Sequence, residues 1–210
     1  MRKMTKGEIA AALLCNYFTV LHLAVLVSTL VFLPGWAWKT GGFLAALYFL
    51  PLACARLALL VHPLRPGKIP IGTRAYYVWW FVFCTQNLYA RFPPIEEALR
   101  CLPGVYSLWL RLWGAKIGRL TYWSAGTIVL DRPFLVVGDH CGFGVGVRMA
   151  AHVHVENELW LEPPVVEDQV VVGAYSLLSP GTVLKANQST KAFLISPPYS
   201  VWQDNKRIAK

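Results

Sequence analysis

Three of the five histidines lie within fifteen residues of one another, at His140, His152 and His154. Imidazole titrates near neutrality unaided, so a positioned histidine can take up and return a proton during a reaction. Three imidazoles could also gather around zinc. Glu156 and Glu158 follow closely, as orienting carboxylates for an imidazole, as contacts for an acceptor, or as solvated loop charges. The five cysteines, Cys15, Cys54, Cys84, Cys101 and Cys141, show no CxxC pair and no disulfide-scaffold spacing. Three of them lie in apolar runs, where cysteine acts as a small hydrophobe. That usage fits a reducing compartment. Cys141 is a conceivable nucleophile, but nothing in the sequence sets its thiol beside His152.

A frame must hold these side chains, and its period is unusual. From Ile117 aliphatic residues recur every six positions, often followed by glycine or an acid. The frames are Ile117-Gly118, Val137-Gly138-Asp139, Phe143-Gly144 and Met149-Ala150. After a gap come Val166-Glu167-Asp168, Val172-Gly173-Ala174, Leu178-Ser179-Pro180-Gly181 and Leu184. A half-buried strand repeats every two residues and a helix every 3.6. A period of six instead predicts a solenoid with three short strands per coil, one inward residue per face and small residues at the corners.

The stretch from Gly114-Ala115-Lys116-Ile117-Gly118 through these frames to Pro197-Pro198 resembles the hexapeptide-repeat acyltransferases. The resemblance covers about the last hundred residues and leaves the N-terminal half outside it. It implies a left-handed parallel β-helix, assembly as a homotrimer, and acyl transfer from a thioester. In the frame Met149-Ala150-Ala151-His152, His152 takes the place of the family's catalytic histidine, and His154 is the weaker alternative. Two departures stand out: Ala151 occupies a position that is often glycine, and Val155 one that is often acidic. Glu156 is then the nearby acid available to orient the imidazole. The resemblance also implies that Gly173, Ala174 and Ser179 line a pantetheine arm, with Lys185 and Lys191 as cations for the donor's phosphates. The loop Val155 to Pro164 is expected to wall the site, with Trp160 covering an acyl or pantetheine chain. The γ-class carbonic anhydrases share this fold with three histidine ligands. Here the His152–His154 interval is too short for that set, and the two side chains are expected to diverge across a strand, so no metal site is expected.

The rest of the chain has a different character. Hydrophobic residues make up 56% of the 210 and charged residues 15%, and mean hydropathy is +0.45. Such figures exclude a disordered chain, a collagen-like chain and a typical nucleic-acid binder. The 9 Trp, 9 Tyr and 10 Phe suit contact with lipid headgroups. Residues 1–119 hold 13 Lys/Arg against 3 Asp/Glu, and residues 120–210 hold 7 against 8. Ile9 to Leu33 is uncharged over 25 residues, enough to span a hydrocarbon core of about 30 Å as a helix. Asn16 and His22 within it could mark a site, but one hydrogen bond to a neighbouring helix is the reading preferred for them. Phe43 to Val61 is a second apolar run, joined to the first by a loop carrying Lys39 and Thr40-Gly41-Gly42. Arg2, Lys3 and Lys6 precede the pair and Arg65, Lys68 and Arg74 follow it, which puts both ends in the cytoplasm. Tyr76 to Cys84 reads as an interfacial segment. Ile95 to Trp113 reads as a surface amphipathic helix with Arg100 and Arg111, interrupted at Pro103-Gly104.

The fold class expected is an α+β membrane protein. A transmembrane helical hairpin occupies residues 1–64, interfacial linker helices 65–116, and a left-handed parallel β-helix acyltransferase domain with its tail 117–210. The expected function is acyl transfer from a CoA or carrier-protein thioester, most simply acetyl-CoA, to a hydroxyl or amine of a membrane-associated acceptor. No permanently bound cofactor and no nucleic acid are expected. The partners are two further copies of the chain, membrane lipid, a lipid-linked acceptor and an acyl or peptidyl carrier protein. The place is the inner membrane, catalytic domain toward the cytoplasm. The alternatives are a non-catalytic membrane scaffold and a γ-carbonic-anhydrase-like metalloenzyme.

Overall fold

In the computed structural model, which describes residues 5–209, the chain forms two units. One comprises the segment up to Leu64 with Gly72–Leu88, the other Arg65–Ile71 with everything from Tyr89 onward. Arg2 and Lys3, two of the cations used for topology, lie outside the described residues.

The first unit is helical. Thr5 caps α1 (Lys6–Phe32): its side chain accepts from Glu8 N at 3.3 Å while the Glu8 carboxylate accepts from Thr5 N at 2.6 Å. The buried stripe Cys15, Phe18, His22 and Leu26 has helical spacing, whereas Leu13, Tyr17, Val20, Val27 and Val31 are exposed. His22 bonds the Ala46 carbonyl of the next helix at 3.0 Å, whereas Asn16 donates to Ala12 O of its own helix at 2.9 Å and not to a neighbouring one. The chain turns at Leu33-Pro34 and continues as α2 (Gly35–Tyr48) and α3 (Leu50–Val61), nearly in line across Phe49. Lys6–Phe32 and Gly35–Val61, 27 residues each, are long and apolar enough to cross a membrane. Lys39 and Gly41-Gly42 therefore belong to a helix, not to the expected loop. Gly42 lacks the Cβ that would strike Leu33, which lets the connection shrink to one sharp turn. The Tyr76–Cys84 segment lies within α4 (Arg74–Cys84), with Trp79 and Val82 buried and Phe81 edge-on to Phe18 at 5.5 Å.

The second unit opens with β1 (Gly67–Pro70), resumes at Tyr89 within α5 (Asn87–Arg91), and continues with α6 (Pro94–Arg100) and α7 (Val105–Trp113). Gly104, at φ +80, separates the last two helices. The first coil follows: β2 (Lys116–Ile117), β3 (Tyr122–Trp123) and β4 (Ile128–Val129). The second is β5 (Val136–Val137), β6 (Gly142–Phe143) and β7 (Arg148–Met149). A hairpin, β8 (His152–Val155) and β9 (Glu158–Leu161), projects before the third coil, β10 (Val165–Val166), β11 (Val170–Val172) and β12 (Leu177–Leu178). The fourth is β13 (Val183–Leu184), β14 (Gln188–Ser189) and β15 (Ile195–Ser196), then β16 (Val201–Gln203) and β17 (Lys206–Ala209).

Strands stack in parallel on three faces: β2-β5-β10-β13-β16, β3-β6-β11-β14 and β4-β7-β12-β15. The second residue of most strands points inward, so Phe143, Met149, Val166, Val172, Leu178 and Leu184 are at most 1% exposed. Trp123 and Val129 hold the same position in the first coil, where the sequence pattern had no aliphatic–glycine frame to show it. Three edges join the faces. Their backbones bond from coil to coil, as in His140 N to Arg119 O, Gln169 N to Asp139 O and Asn187 N to Asp168 O, each within 3.0 Å. The edge residues His140, Gln169 and Asn187 take φ near +60 to turn the corner. At the C-terminal end β17 runs back antiparallel along β16 through Asp204-Asn205. The fold is thus a parallel β-solenoid preceded by helices.

Candidate functional site

The hairpin leaves the solenoid at the edge between the third face and the first. His152 stands at its root, at the start of β8. Its Nδ1 lies 2.7 Å from Oδ2 of Asp131, and the same oxygen accepts from Ala151 N at 2.9 Å. A carboxylate can only accept, so Nδ1 carries the proton and Nε2 is the nitrogen left to exchange one. The imidazole is 15% exposed and the carboxylate 2%: the acid is enclosed while the base still meets solvent.

Asp131 was not among the residues singled out from the sequence. Its signal is a change of interval. Inward residues follow one another at six positions within a coil, but Val129 to Val137 is eight. The two extra residues let the segment Asp131-Arg132-Pro133-Phe134 turn, with Phe134 N bonding Asp131 O at 2.9 Å, and bring the carboxylate under the hairpin root.

His154 also lies on β8. Residues two apart on a strand share a face, and the His152 and His154 rings stand 6.1 Å apart. The expectation that they diverge is therefore corrected. Partial withdrawal from water and the neighbouring His152 hold the His154 imidazole below its ordinary pKa. Glu156 sits in the hairpin turn at φ +53, exposed and at the far end of β8 from His152. Asp131, not Glu156, meets the imidazole. Among the described residues no group of three His, Cys, Asp or Glu side chains is placed to hold a metal.

Half of the expected loop of residues 155–164 is strand. β9 pairs with β8 on one side and with β1 on the other, Lys68 opposite Trp160, so the segment 65–71 contributes a third strand. Trp160 pairs with Val153 and His152 with Leu161, which puts Trp160 on the face of the hairpin opposite His152. The indole meets Tyr199 at 5.7 Å and Lys68 Nζ at 4.8 Å, and does not cover the His152 side. Glu162, at the base of β9, bonds through its backbone to Ala151 O and Gly181 N, and burial raises the pKa of its carboxyl.

The residues expected to hold a donor lie apart. Ser179 shares the edge of His152, and its amide donates to Ser196 Oγ at 3.1 Å. Gly173, Ala174 and Lys191 lie on the edge between the second and third faces. A Cβ on Gly173 would fall on the Lys191 carbonyl, so its glycine serves the approach of two coils. Lys185 is on the remaining edge and pairs with Glu167 at 2.8 Å. Cys141, near that edge too, donates its thiol to Glu167 O at 3.0 Å, and burial raises its pKa, which suits a structural thiol.

No protein-family model and no curated protein matches the sequence. Among solved structures the chain is similar to a hexapeptide-repeat containing acetyltransferase from Vibrio cholerae complexed with acetyl coenzyme A, at 16% identity over 56% of this chain and 82% of that one, TM-score 0.42. It is similar also to a galactoside acetyltransferase in complex with coenzyme A, at 12% identity over 51% and 74%, TM-score 0.34. A third is serine acetyltransferase isoform 3 from Entamoeba histolytica in complex with cysteine, at 11% identity over 90% and 69%, TM-score 0.28.

Proposed function

We propose that the protein is a membrane-anchored acyltransferase in which His152, oriented by Asp131, is the general base. The 2.7 Å contact between His152 Nδ1 and Asp131 Oδ2 carries this reading. With Nδ1 donating to the carboxylate, the Nε2 lone pair takes the proton of an acceptor hydroxyl or amine as its oxygen or nitrogen attacks the carbonyl carbon of an acyl thioester, most simply acetyl-CoA. Asp131 stabilises the imidazolium so formed. The attack forms a tetrahedral intermediate. Its collapse breaks the C–S bond, and the imidazolium returns the proton to the leaving thiolate. The transfer is direct, without an acyl-enzyme.

The donor residues argue for a homotrimer. His152 and Ser179 lie on one edge and Gly173, Ala174 and Lys191 on another, so a thioester touching both sets would lie between two copies.

Two features support the membrane. One is the pair of 27-residue apolar helices. The other, in the second unit, is a hollow where the exposed Leu102, Leu120 and Tyr122 meet Arg111 and Arg119, with Leu108 and Leu112 exposed on the helix that carries Arg111. Apolar side chains with a basic fringe suit the anionic cytoplasmic leaflet. Lys6 at the start of the first span and Arg65, Lys68 and Arg74 after the second, against Lys39 near the start of the second, orient both ends inward. The acceptor is accordingly a lipid-borne hydroxyl or amine, and an acyl or peptidyl carrier is an alternative source of the thioester.

The test is a panel of acyl-CoA and acyl-carrier thioesters incubated with the membrane-embedded protein, with mass spectrometry of the extracted lipids. His152→Ala is expected to lower transfer by on the order of a hundred- to ten-thousand-fold with the fold intact. Unchanged acylation by a folded His152→Ala protein would refute the reading and favour the non-catalytic scaffold.

A further inference from the structure

We infer that Glu96 and Arg132 are positioning residues for the base: a buried ion pair, made by a helix outside the solenoid, fixes the turn that presents Asp131 to His152. The inference rests on the reading of His152 as the base.

Arg132 follows Asp131 directly and is 1% exposed. Its Nε donates to Glu96 Oε1 at 2.7 Å, and Nη2 donates to the same oxygen. The guanidinium also lies 5.2 Å from the Tyr89 ring centroid and 5.6 Å from that of Trp109. So the side chain next to the aspartate is pinned from α5, α6 and α7 while the aspartate itself turns the other way, toward the hairpin.

Glu96 does more than neutralise one charge. Its second oxygen accepts from Arg100 Nη2 at 3.1 Å and from Tyr106 Oη at 3.2 Å. Arg100 then reaches the solenoid through Thr127 O at 2.7 Å, and its partner Glu97 accepts from Gly126 N at 2.9 Å. Thr127 precedes β4 and Asp131 follows it, so α6 holds the strand at both ends. This also corrects the expectation that Arg100 lies on a membrane-facing surface: its side chain is only 6% exposed.

A stack of hexads needs no such buried fixture: the other edges are held by backbone bonds, short side chains and the partly exposed Lys185–Glu167 pair. Only at the enlarged edge, among those joining the third face to the first in the described residues, is a buried arginine turned inward to a helix. A buried ion pair contributes little net stability against apolar groups of similar volume, but it imposes one geometry. Here that geometry is the placement of a carboxylate within hydrogen-bond distance of His152.

The experiment uses the full chain in detergent or nanodiscs, with acetyl-CoA turnover as the activity probe. A second readout is the downfield proton resonance of His152 Nδ1, assigned by its loss in His152→Ala. For Glu96→Gln we expect the fold to persist, the resonance to shift or broaden away, and kcat to fall by on the order of a hundredfold with KM for acetyl-CoA unchanged, the cost of a misaligned group. If Glu96→Gln does not fold, the double variant Glu96→Met/Arg132→Met removes the pair while filling its space, and the same losses are expected. A folded variant of either kind with a native resonance and native kcat overturns the inference. If instead His152→Ala leaves turnover intact, the proposed function fails, and the resonance still reports whether Glu96 governs the His152–Asp131 bond.

Discussion

His152 and Asp131 share one hydrogen bond but were unequally visible before folding. The histidine lies in a readable frame, so counting hexads finds it. The aspartate lies where counting breaks, and only the eight-residue step from Val129 to Val137 marks it. Glu156 was the nearest acid in sequence, but a two-stranded hairpin carries it away from its root. The dyad predicts a graded set of losses. Asp131→Asn can offer its amide as a donor and so favour the wrong imidazole tautomer; kcat is expected to fall by on the order of a hundredfold or more, with KM little changed. His154→Ala should cost less than about tenfold, since proton transfer remains with His152. Steady-state kinetics on the two variants distinguishes them. A second residue-level expectation concerns pH. The Lys185 ammonium, at 2.8 Å, and the Ala186 amide, at 3.0 Å, hold the Glu167 carboxyl below its usual range. A carboxyl whose pKa is lower folded than unfolded stabilises the fold above its ordinary value and loses that contribution as pH falls through the lowered one. The melting-temperature gap between wild type and Lys185→Gln should therefore be widest near neutrality and close in acid.

Among the elements, the coils were the most legible because one inward residue and one small corner residue per face repeat in sequence. The pattern is silent where the inward residue is a tryptophan, as at Trp123, or polar, as at Thr190 and Ser196 in the fourth coil. It was silent too about β1, whose four residues gain a strand only by meeting β9, a pairing with no local signature. Lys39 and the glycines after it read as a loop, but the chain stays helical because the turn at Leu33-Pro34 already reverses its direction. Corner glycines carry the coil spacing. At Gly144 a Cβ would stand 2.6 Å from Ala174 N, closer than packed atoms allow. Gly144→Ala is expected to destabilise the solenoid by about 1–3 kcal/mol, in the range for overpacking a tight interior, measured as a lower denaturation midpoint. Gly7→Ala, where the Cβ meets nothing within 4 Å and the backbone is helical, is the comparison expected not to destabilise.

At the scale of the molecule, a side-by-side trimer and an inward-facing catalytic unit make separate predictions. Cross-linking and light scattering of the detergent-solubilised protein should give three copies, and a fully active monomer would exclude the trimer. Reporter tags fused at both ends should be inaccessible from outside intact cells, and an externally labelled C-terminus would contradict the topology. The ends of the solenoid carry a further consequence. A pile of parallel strands finishes in rows of unused amides and carbonyls, which is the template on which fibrils elongate. At one end α7 leads into β2 with Trp113 wholly buried, and at the other β17 folds back over β16 with Lys206 and Arg207 on the outermost strand. A shape built from endless repetition is thereby stoppered at the C-terminal edge of its first face by a reversed strand bearing two positive charges. That face is closed to the next molecule end to end, and in the proposed trimer association runs sideways, where three prisms would close on themselves.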